Sequence, residues 1–131
     1  MLFEFTASKN FDFITRFAAW LKVPSRNDFL KIPKKLGEGY VRKVVFDDEF
    51  RLLIHRYNLK EDLIIRRNPS IEQNDLISVF FYDNEQAIDF KLNDETRGPF
   101  SQKSDSAVQV TTNDLSSTIR FPAGTLTQYI V

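Results

Sequence analysis

The stretch FRLLIHRYNLKEDLIIRRNPSIEQNDLISVFFY, residues 50–82, decides the fold of this chain. It contains three short apolar runs, at 52–54, 63–65 and 76–82, separated by polar breaks. Runs that are rich in β-branched and aromatic residues and end at Asn, Asp, Ser or Pro are typical of strands joined by turns. The stretch also carries His55, the only histidine in the chain. We therefore expect core strands and the most distinctive polar side chain to meet here.

The same pattern continues on both sides of this stretch. Strands are predicted at 29–32, 40–46, 50–57, 63–67, 76–82, 87–92, 107–111, 117–121 and 126–131. Residues 47–49 are read as an acidic turn and 93–106 as the longest polar loop. Short strands at close spacing without helices between them indicate an antiparallel, mainly β fold, either a sandwich or a barrel.

One helix is predicted, over residues 10–22. Its apolar residues recur at steps of three and four, Ser8 or Asn10 is the expected cap, and Pro24 follows the end. We expect the helix to lie on its own domain, and residues 1–9 to be a short lead-in. Phe13 and Trp20 widen the apolar face, so a contact with a partner subunit stays open, and this helix is the first candidate for a dimer surface.

Composition limits the possible functions. The 131 residues are enough for one domain, and a hydrophobic fraction of 42% is enough for a core. The 13 Phe could fill the interior of a barrel completely or leave room for a ligand. The chain has 18 basic and 18 acidic residues, so it lacks the basic excess that is usual in chains that bind nucleic acid by themselves. We do not expect this chain by itself to bind DNA.

The sequence indicates a cellular compartment only through the features that it lacks. There are no cysteines, which excludes disulfides, thiolate catalysis and Cys-ligated metals. We identify no signal peptide and no apolar run of membrane-spanning length. A cytoplasmic protein without membrane contact is the expectation.

Two segments resemble a known family. The first segment spans residues 32–70 and contains Gly39-Tyr40, the LIHRY run at 53–57 and LKEDL at 59–63. The second spans residues 107–131 and contains Asn113-Asp114 and FPAGT at 121–125. These are similar to the N-terminal sensor domain of AraC-type transcription regulators, of the kind frequent in Bacteroidetes. The resemblance implies a cupin-like jelly-roll barrel over about 28–131, preceded by the helix, that senses a ligand or dimerises. It also implies that two helix-turn-helix units for DNA binding follow Val131, outside this chain, and the end of the chain inside an alternating strand agrees with truncation.

The likeness to cupins also shows a departure. Pro122-Ala123-Gly124 fits the P-x-G turn of a cupin's second motif, but Thr127 stands where metal-binding cupins carry His. A chain with one histidine cannot build their H-x-H ligand set. We therefore expect no metal, no other cofactor and no catalytic residues. A stand-alone cupin-type small-molecule binding protein or enzyme remains the alternative.

Candidate ligand-binding residues lie on the central strands. Leu53, His55 and Tyr57 should share one strand face, as should Phe80 and Tyr82, because successive side chains point in opposite directions. The predicted ligand contacts are His55, Tyr57, Arg66, Phe80 and Tyr82. His55 could contact a ligand or be a structural histidine. The expected partners are an unidentified effector, such as a sugar or an organic acid, and a second copy of the chain. A pure dimerisation domain with a filled interior also stays open.

Overall fold

The fold consists of one helix and two sheets, seen in a computed structural model that describes residues 1–8, 10–72, 75–84, 86–97 and 108–131. The helix α1 spans Phe13–Leu21. The strands are β1 (Leu2–Thr6), β2 (Phe29–Lys31), β3 (Gly37–Val45), β4 (Arg51–Leu59), β5 (Leu63–Asn68), β6 (Ile77–Tyr82), β7 (Asp89–Leu92), β8 (Glu95–Thr96), β9 (Val108–Thr112), β10 (Ser117–Phe121) and β11 (Leu126–Ile130). The predicted mainly β class is confirmed.

The strands form a five-stranded and a six-stranded sheet. Their orders are β1-β5-β10-β7-β8 and β2-β3-β4-β11-β6-β9, and within the described residues neither sheet closes into a barrel. The prediction of purely antiparallel pairing is wrong at one place, because β1 runs parallel to β5 with Phe3 beside Ile65. This pairing shows that residues 2–6 form a strand and not the predicted lead-in. The physical reason is burial, because the strand places the Phe3 side chain in the core.

The core lies between the two sheets. Strand β10 shows the pattern most clearly, because Ser117, Ile119 and Phe121 are buried while Thr118 and Arg120 between them are more exposed. On the facing sheet, β4 turns His55 and Tyr57 inward. This two-residue alternation is the one predicted from the sequence, and it arises from the pleat of the strand.

Helix α1 starts later than predicted. Asp12, and not Ser8 or Asn10, is its N-cap, since the Asp12 side chain accepts a hydrogen bond from the Thr15 backbone N at 2.8 Å. The apolar stripe is buried, and Trp20 stacks on Phe17 with ring centroids 5.5 Å apart. The helix thus packs on its own domain, as expected.

Two glycines with positive φ differ in what surrounds them. Gly39 (φ +113°) lies opposite Tyr57 in the ladder, and a Cβ there would be 2.3 Å from the Arg56 carbonyl oxygen and 2.5 Å from Tyr57 Cα. Gly124 (φ +71°) has no atom within 4 Å of such a Cβ. Close backbone contact therefore requires glycine at position 39 and not at 124, and Gly37 is a second such position, since a Cβ there would be 2.1 Å from the Asn58 carbonyl oxygen.

The predicted polar loop over 93–106 is only partly visible. Its first part contains the short strand β8, which pairs with β7. Residues 98–107 lie outside the described ranges, as does the predicted start of the next strand at residue 107. The acidic turn at 47–49 connects β3 to β4, as predicted.

Candidate ligand-binding site

A cavity of about 430 Å³ lies between the two sheets. Strands β4, β6 and β11 contribute to one wall, and β5 and β10 contribute to the other. The lining is mainly apolar and includes Phe5, Phe13, Leu53, Ile65, Ile119 and Tyr129. Small-molecule sites have volumes of about 300–1,000 Å³, so this cavity lies at the lower end of that range. The phenylalanine side chains therefore do not fill the interior completely.

His55 forms part of the wall on the six-stranded sheet. Its ring stacks on Tyr129 with centroids 4.1 Å apart, and the Phe13 ring lies edge-on at 5.1 Å. His55 is only 1% exposed, and burial lowers its pKa to about 3, so the imidazole is neutral at pH 7. Its Nδ1 atom is buried and has no hydrogen-bond partner among the described residues. An unpaired buried nitrogen is costly, and a polar group in the cavity would satisfy it.

Arg67 projects into the interior from the five-stranded sheet. Its guanidinium reaches the connection between β9 and β10. Nη2 donates to Thr111 Oγ1 at 3.0 Å, to the Thr112 carbonyl at 2.9 Å and to the Leu115 carbonyl at 3.3 Å. Nη1 donates to Asn113 Oδ1 at 3.3 Å. All these acceptors are neutral oxygens, so they stabilise the position of the guanidinium without cancelling its charge.

The Nε atom of Arg67 differs from the two Nη atoms. Arg67 is 5% exposed, and its Nε atom is buried without a partner in the described part of the chain. No carboxylate of the described residues forms an ion pair with it. Burial lowers the pKa of Arg67, and the exposed Asp114 acts in the opposite direction. Because a guanidinium stays protonated in proteins, the cavity wall carries a buried positive charge.

Strand pairing places Arg67 in the cavity wall. Along β5, Leu63, Ile65 and Arg67 face inward. Arg67 is flanked by Phe5 of β1 and Ser117 of β10, which also line the cavity. The charged group therefore lies between an aromatic side chain and a hydroxyl.

A polar cluster lies at the partly exposed part of the lining. Lys43 forms ion pairs with Asp12 and with Asp28, the latter at 2.9 Å. Burial alone would raise the pKa of Asp12, but hydrogen bonds from Lys43 and the Thr15 backbone outweigh it and lower that pKa. The N-cap of α1 is thereby tied to β3 beside the cavity.

The predicted ligand contacts occupy three different places. His55 and Phe80 line the cavity. Tyr57 and Tyr82 are buried but lie outside the lining, and burial raises the pKa of both hydroxyls. Arg66 does not face the interior: it is exposed on the outer face of β5, with Glu4 at 3.9 Å. The expectation that Arg66 faces the pocket is wrong, since the ladder turns Arg67 inward.

Sequence reasoning missed several lining residues. The predicted ligand contacts do not include Arg67, Tyr129 or Ser117, all of which line the cavity. Tyr129 lies on the strand predicted at 126–131, but its pairing with His55 follows from the register of β11 and β4. The alternation Phe3-Glu4-Phe5 was a signal for β1, the strand that brings Phe5 to Arg67.

No family model, curated protein or solved structure matches the chain. In the described part of the chain, no group of three or more His, Asp or Glu side chains could hold a metal ion. None of the helices described is long and apolar enough to cross a membrane.

Proposed function

We propose that this chain is the ligand-sensing domain of an AraC-type transcription regulator, built on a cupin-like β fold and acting by binding and not by catalysis. The observation that carries the proposal is the cavity of about 430 Å³ lined by His55 and Arg67, whose Nδ1 and Nε atoms are buried without a partner among the described residues. The sequence resemblance and the two-sheet architecture support the cupin-like assignment.

The energetics of the cavity favour occupation by a ligand. Each buried polar atom without a partner costs about 1–3 kcal/mol, and His55 and Arg67 face the same cavity from opposite sheets. Natural interiors are close-packed, so an apolar space of this size with polar atoms in its walls is typical of a binding site. A ligand that meets both atoms would stabilise the native state.

The environment of His55 supports binding over catalysis. Its neighbours in ring contact are aromatic side chains, namely Phe13, Tyr57 and Tyr129. General acid–base catalysis works best when the pKa lies near the working pH, and burial lowers the pKa of His55 to about 3. In this proposal His55 therefore accepts or donates one hydrogen bond and does not transfer protons.

Ligand binding is tested by thermal shift with a panel of sugars, carboxylic acids and neutral amphipathic compounds. A ligand that binds only the native state raises the melting temperature. Ile119→Trp should abolish the ligand-induced shift, because Ile119 lines the cavity. Thr118→Trp on the same strand points to the outer face and should preserve it. If no compound raises the melting temperature, or if both variants respond as the wild type does, the ligand-sensing proposal is wrong.

The assignment to a regulator has a separate test. It requires that the coding sequence continue past Val131 into helix-turn-helix units. It also requires that this chain by itself show no sub-micromolar affinity for duplex DNA, since the chain has no basic excess. A coding sequence that continues into any other kind of domain would contradict the regulator assignment and leave the binding site intact.

For dimerisation, we propose the apolar strip on β6 and β9, whose Ile77, Val79 and Phe81 also border the cavity, rather than α1, whose apolar stripe is already buried. Val79 pairs with Val110 and Phe81 pairs with Val108, and the exposed Ile77 extends the same strip. Strand β9 is the last of its sheet in the described ranges, so the strip lies at a sheet edge where a second copy can approach. Light scattering should show a wild-type dimer and a monomeric Val110→Lys variant, and a monomeric wild type would contradict this proposal.

A further inference from the structure

We propose that the cavity takes a small amphipathic carboxylate, with the acid group at Arg67 Nε and the apolar part among the aromatic side chains of the lining. The inference rests on the proposed ligand-binding function and names the chemical class of its ligand. It follows from three properties of the cavity: its charge, its apolar walls and the guanidinium Nε atom, which is buried without a partner among the described residues.

The hydrogen bonds of Arg67 leave its charge uncompensated within the described residues. Its two Nη atoms donate to hydroxyl, amide and carbonyl oxygens, all of them neutral. Asp114, the acid that most affects its pKa, is exposed and accepts a hydrogen bond from Thr112. A buried charge is stable only when it is paired or fully hydrogen-bonded, and Arg67 Nε is neither. An anion in the cavity would supply both the missing acceptor and the compensating charge.

The walls limit which anion fits. Phe5 and Phe11 stack at 4.5 Å and belong to the lining, together with Phe13, Ile65 and Ile119. A sugar would leave most of its hydroxyls without partners against these side chains. A phosphate dianion would need several donors, whereas Nε is the only guanidinium nitrogen of Arg67 without a partner in the described part of the chain. A monovalent carboxylate on an apolar body matches both this single unpaired nitrogen and the apolar walls.

The position of His55 defines the second polar contact. It lies on β4 of the six-stranded sheet, whereas Arg67 lies on β5 of the five-stranded sheet, so the two face the cavity from opposite walls. His55 is neutral at pH 7 and therefore does not compete for the carboxylate. A hydroxyl or amide on the apolar body would pair with His55 Nδ1 and add to affinity.

The test compares matched acids and amides on the intact chain. The probes are hexanoate and 3-phenylpropanoate against hexanamide and 3-phenylpropanamide, measured by calorimetry at pH 7. Each acid should bind at least about tenfold more tightly than its amide, since a hydrogen bond between charged groups is about twice as strong as a neutral one. The His55 ring resonance should shift when the acid binds, because His55 lines the same cavity.

Variants locate the contact. Arg67→Met should remove the preference for acid over amide, and Arg66→Met is the matched control because Arg66 lies on the outer face of the same strand. If Arg67→Met does not fold, the comparison of acid with amide on the wild-type chain still tests the carboxylate inference. Equal affinity for acids and amides overturns the carboxylate inference but leaves the ligand-binding function standing. Loss of the acid preference in Arg66→Met alone would also overturn it. A chain that binds none of the probes, and none of the wider panel above, contradicts both proposals.

Discussion

Stability below pH 7 should depend on His55, and this is the sharpest prediction of the structure. In an unfolded chain the pKa of histidine is about 6.5. In the folded protein, burial among aromatic rings lowers the pKa of His55 to about 3. Below pH 6.5 the unfolded chain therefore takes up a proton that the native state does not, and each unit of acidification favours unfolding by about 1.4 kcal/mol.

The magnitude between pH 7 and pH 5 follows from these two pKa values. At pH 5 the unfolded histidine is almost fully protonated, whereas the native one, with a pKa of about 3, is almost fully neutral. Linkage gives a loss of about 1.9 kcal/mol in the free energy of unfolding, and a native pKa anywhere below about 4 gives nearly the same value. Above pH 7.5 the contribution of His55 to the free energy of unfolding should not change with pH, since His55 is neutral in both the folded and the unfolded chain.

The assay is urea denaturation of the wild type and of His55→Leu from pH 5 to pH 8. Leucine has no titratable group, and the carboxylates titrate alike in both proteins. The difference in unfolding free energy between the two proteins should therefore isolate His55, which is the only histidine. That difference should change by about 1.9 kcal/mol in favour of the variant between pH 7 and pH 5.

Two results would refute this reasoning. One is a difference between wild type and His55→Leu that stays constant to within about 0.5 kcal/mol from pH 7 to pH 5. The other is a native His55 ring resonance that titrates with a midpoint between pH 6 and 7. Either result would mean that the imidazole is solvated or paired in the folded protein, and that its Nδ1 is not available to a ligand.

Three further perturbations test the fold around the cavity, each by urea denaturation at pH 7. Gly39→Ala should lower the free energy of unfolding by about 3 kcal/mol or more, because its Cβ would overlap the facing backbone. Gly124→Ala should lower it by only about 1 kcal/mol, because of its left-handed conformation. Equal losses would contradict the close backbone approach at Gly39. Asp12→Ala should lower the free energy of unfolding by about 1 kcal/mol, because the α1 helix loses its N-cap. Asp12→Asn should lower it clearly less, because Asn also caps helices, and the reverse order of the two variants would contradict the capping role. Arg67→Met should lower the free energy of unfolding by about 3 kcal/mol, since it removes the hydrogen bonds to Thr111, Thr112, Asn113 and Leu115. Arg66→Met should lower it by less than about 1 kcal/mol, and similar losses for both would contradict the assigned faces.

The sequence predicted the inward face of β4 correctly and failed at β5. On β4 the apolar and polar residues alternate well enough to assign His55 and Tyr57 to one face. On β5 the run Leu63–Asn68 begins with three apolar residues and then has two adjacent arginines. One face carries Leu63, Ile65 and Arg67 and the other Ile64, Arg66 and Asn68, so the two differ by one apolar residue and each has one arginine. The pattern therefore favours Arg67 as the inward residue only weakly. Pairing with β1 and β10 makes that choice.

The cavity itself was beyond sequence reasoning. The 13 Phe suggested an interior that could be filled, but Phe29, Phe46, Phe50 and Phe81 are exposed. Composition counts the phenylalanines without showing which of them enter the core. The space that remains depends on how far apart the two sheets pack and on the rotamers within them.

By itself, then, the sequence determined the β class, the positions of most strands and the burial of the lone histidine, because each of these depends on local alternation and turn residues. The tertiary structure decided that β1 pairs in parallel with β5, that Arg67 faces inward and that a cavity separates it from His55. These features depend on register and on packing between segments far apart in the chain, and a two-residue period carries no information about either.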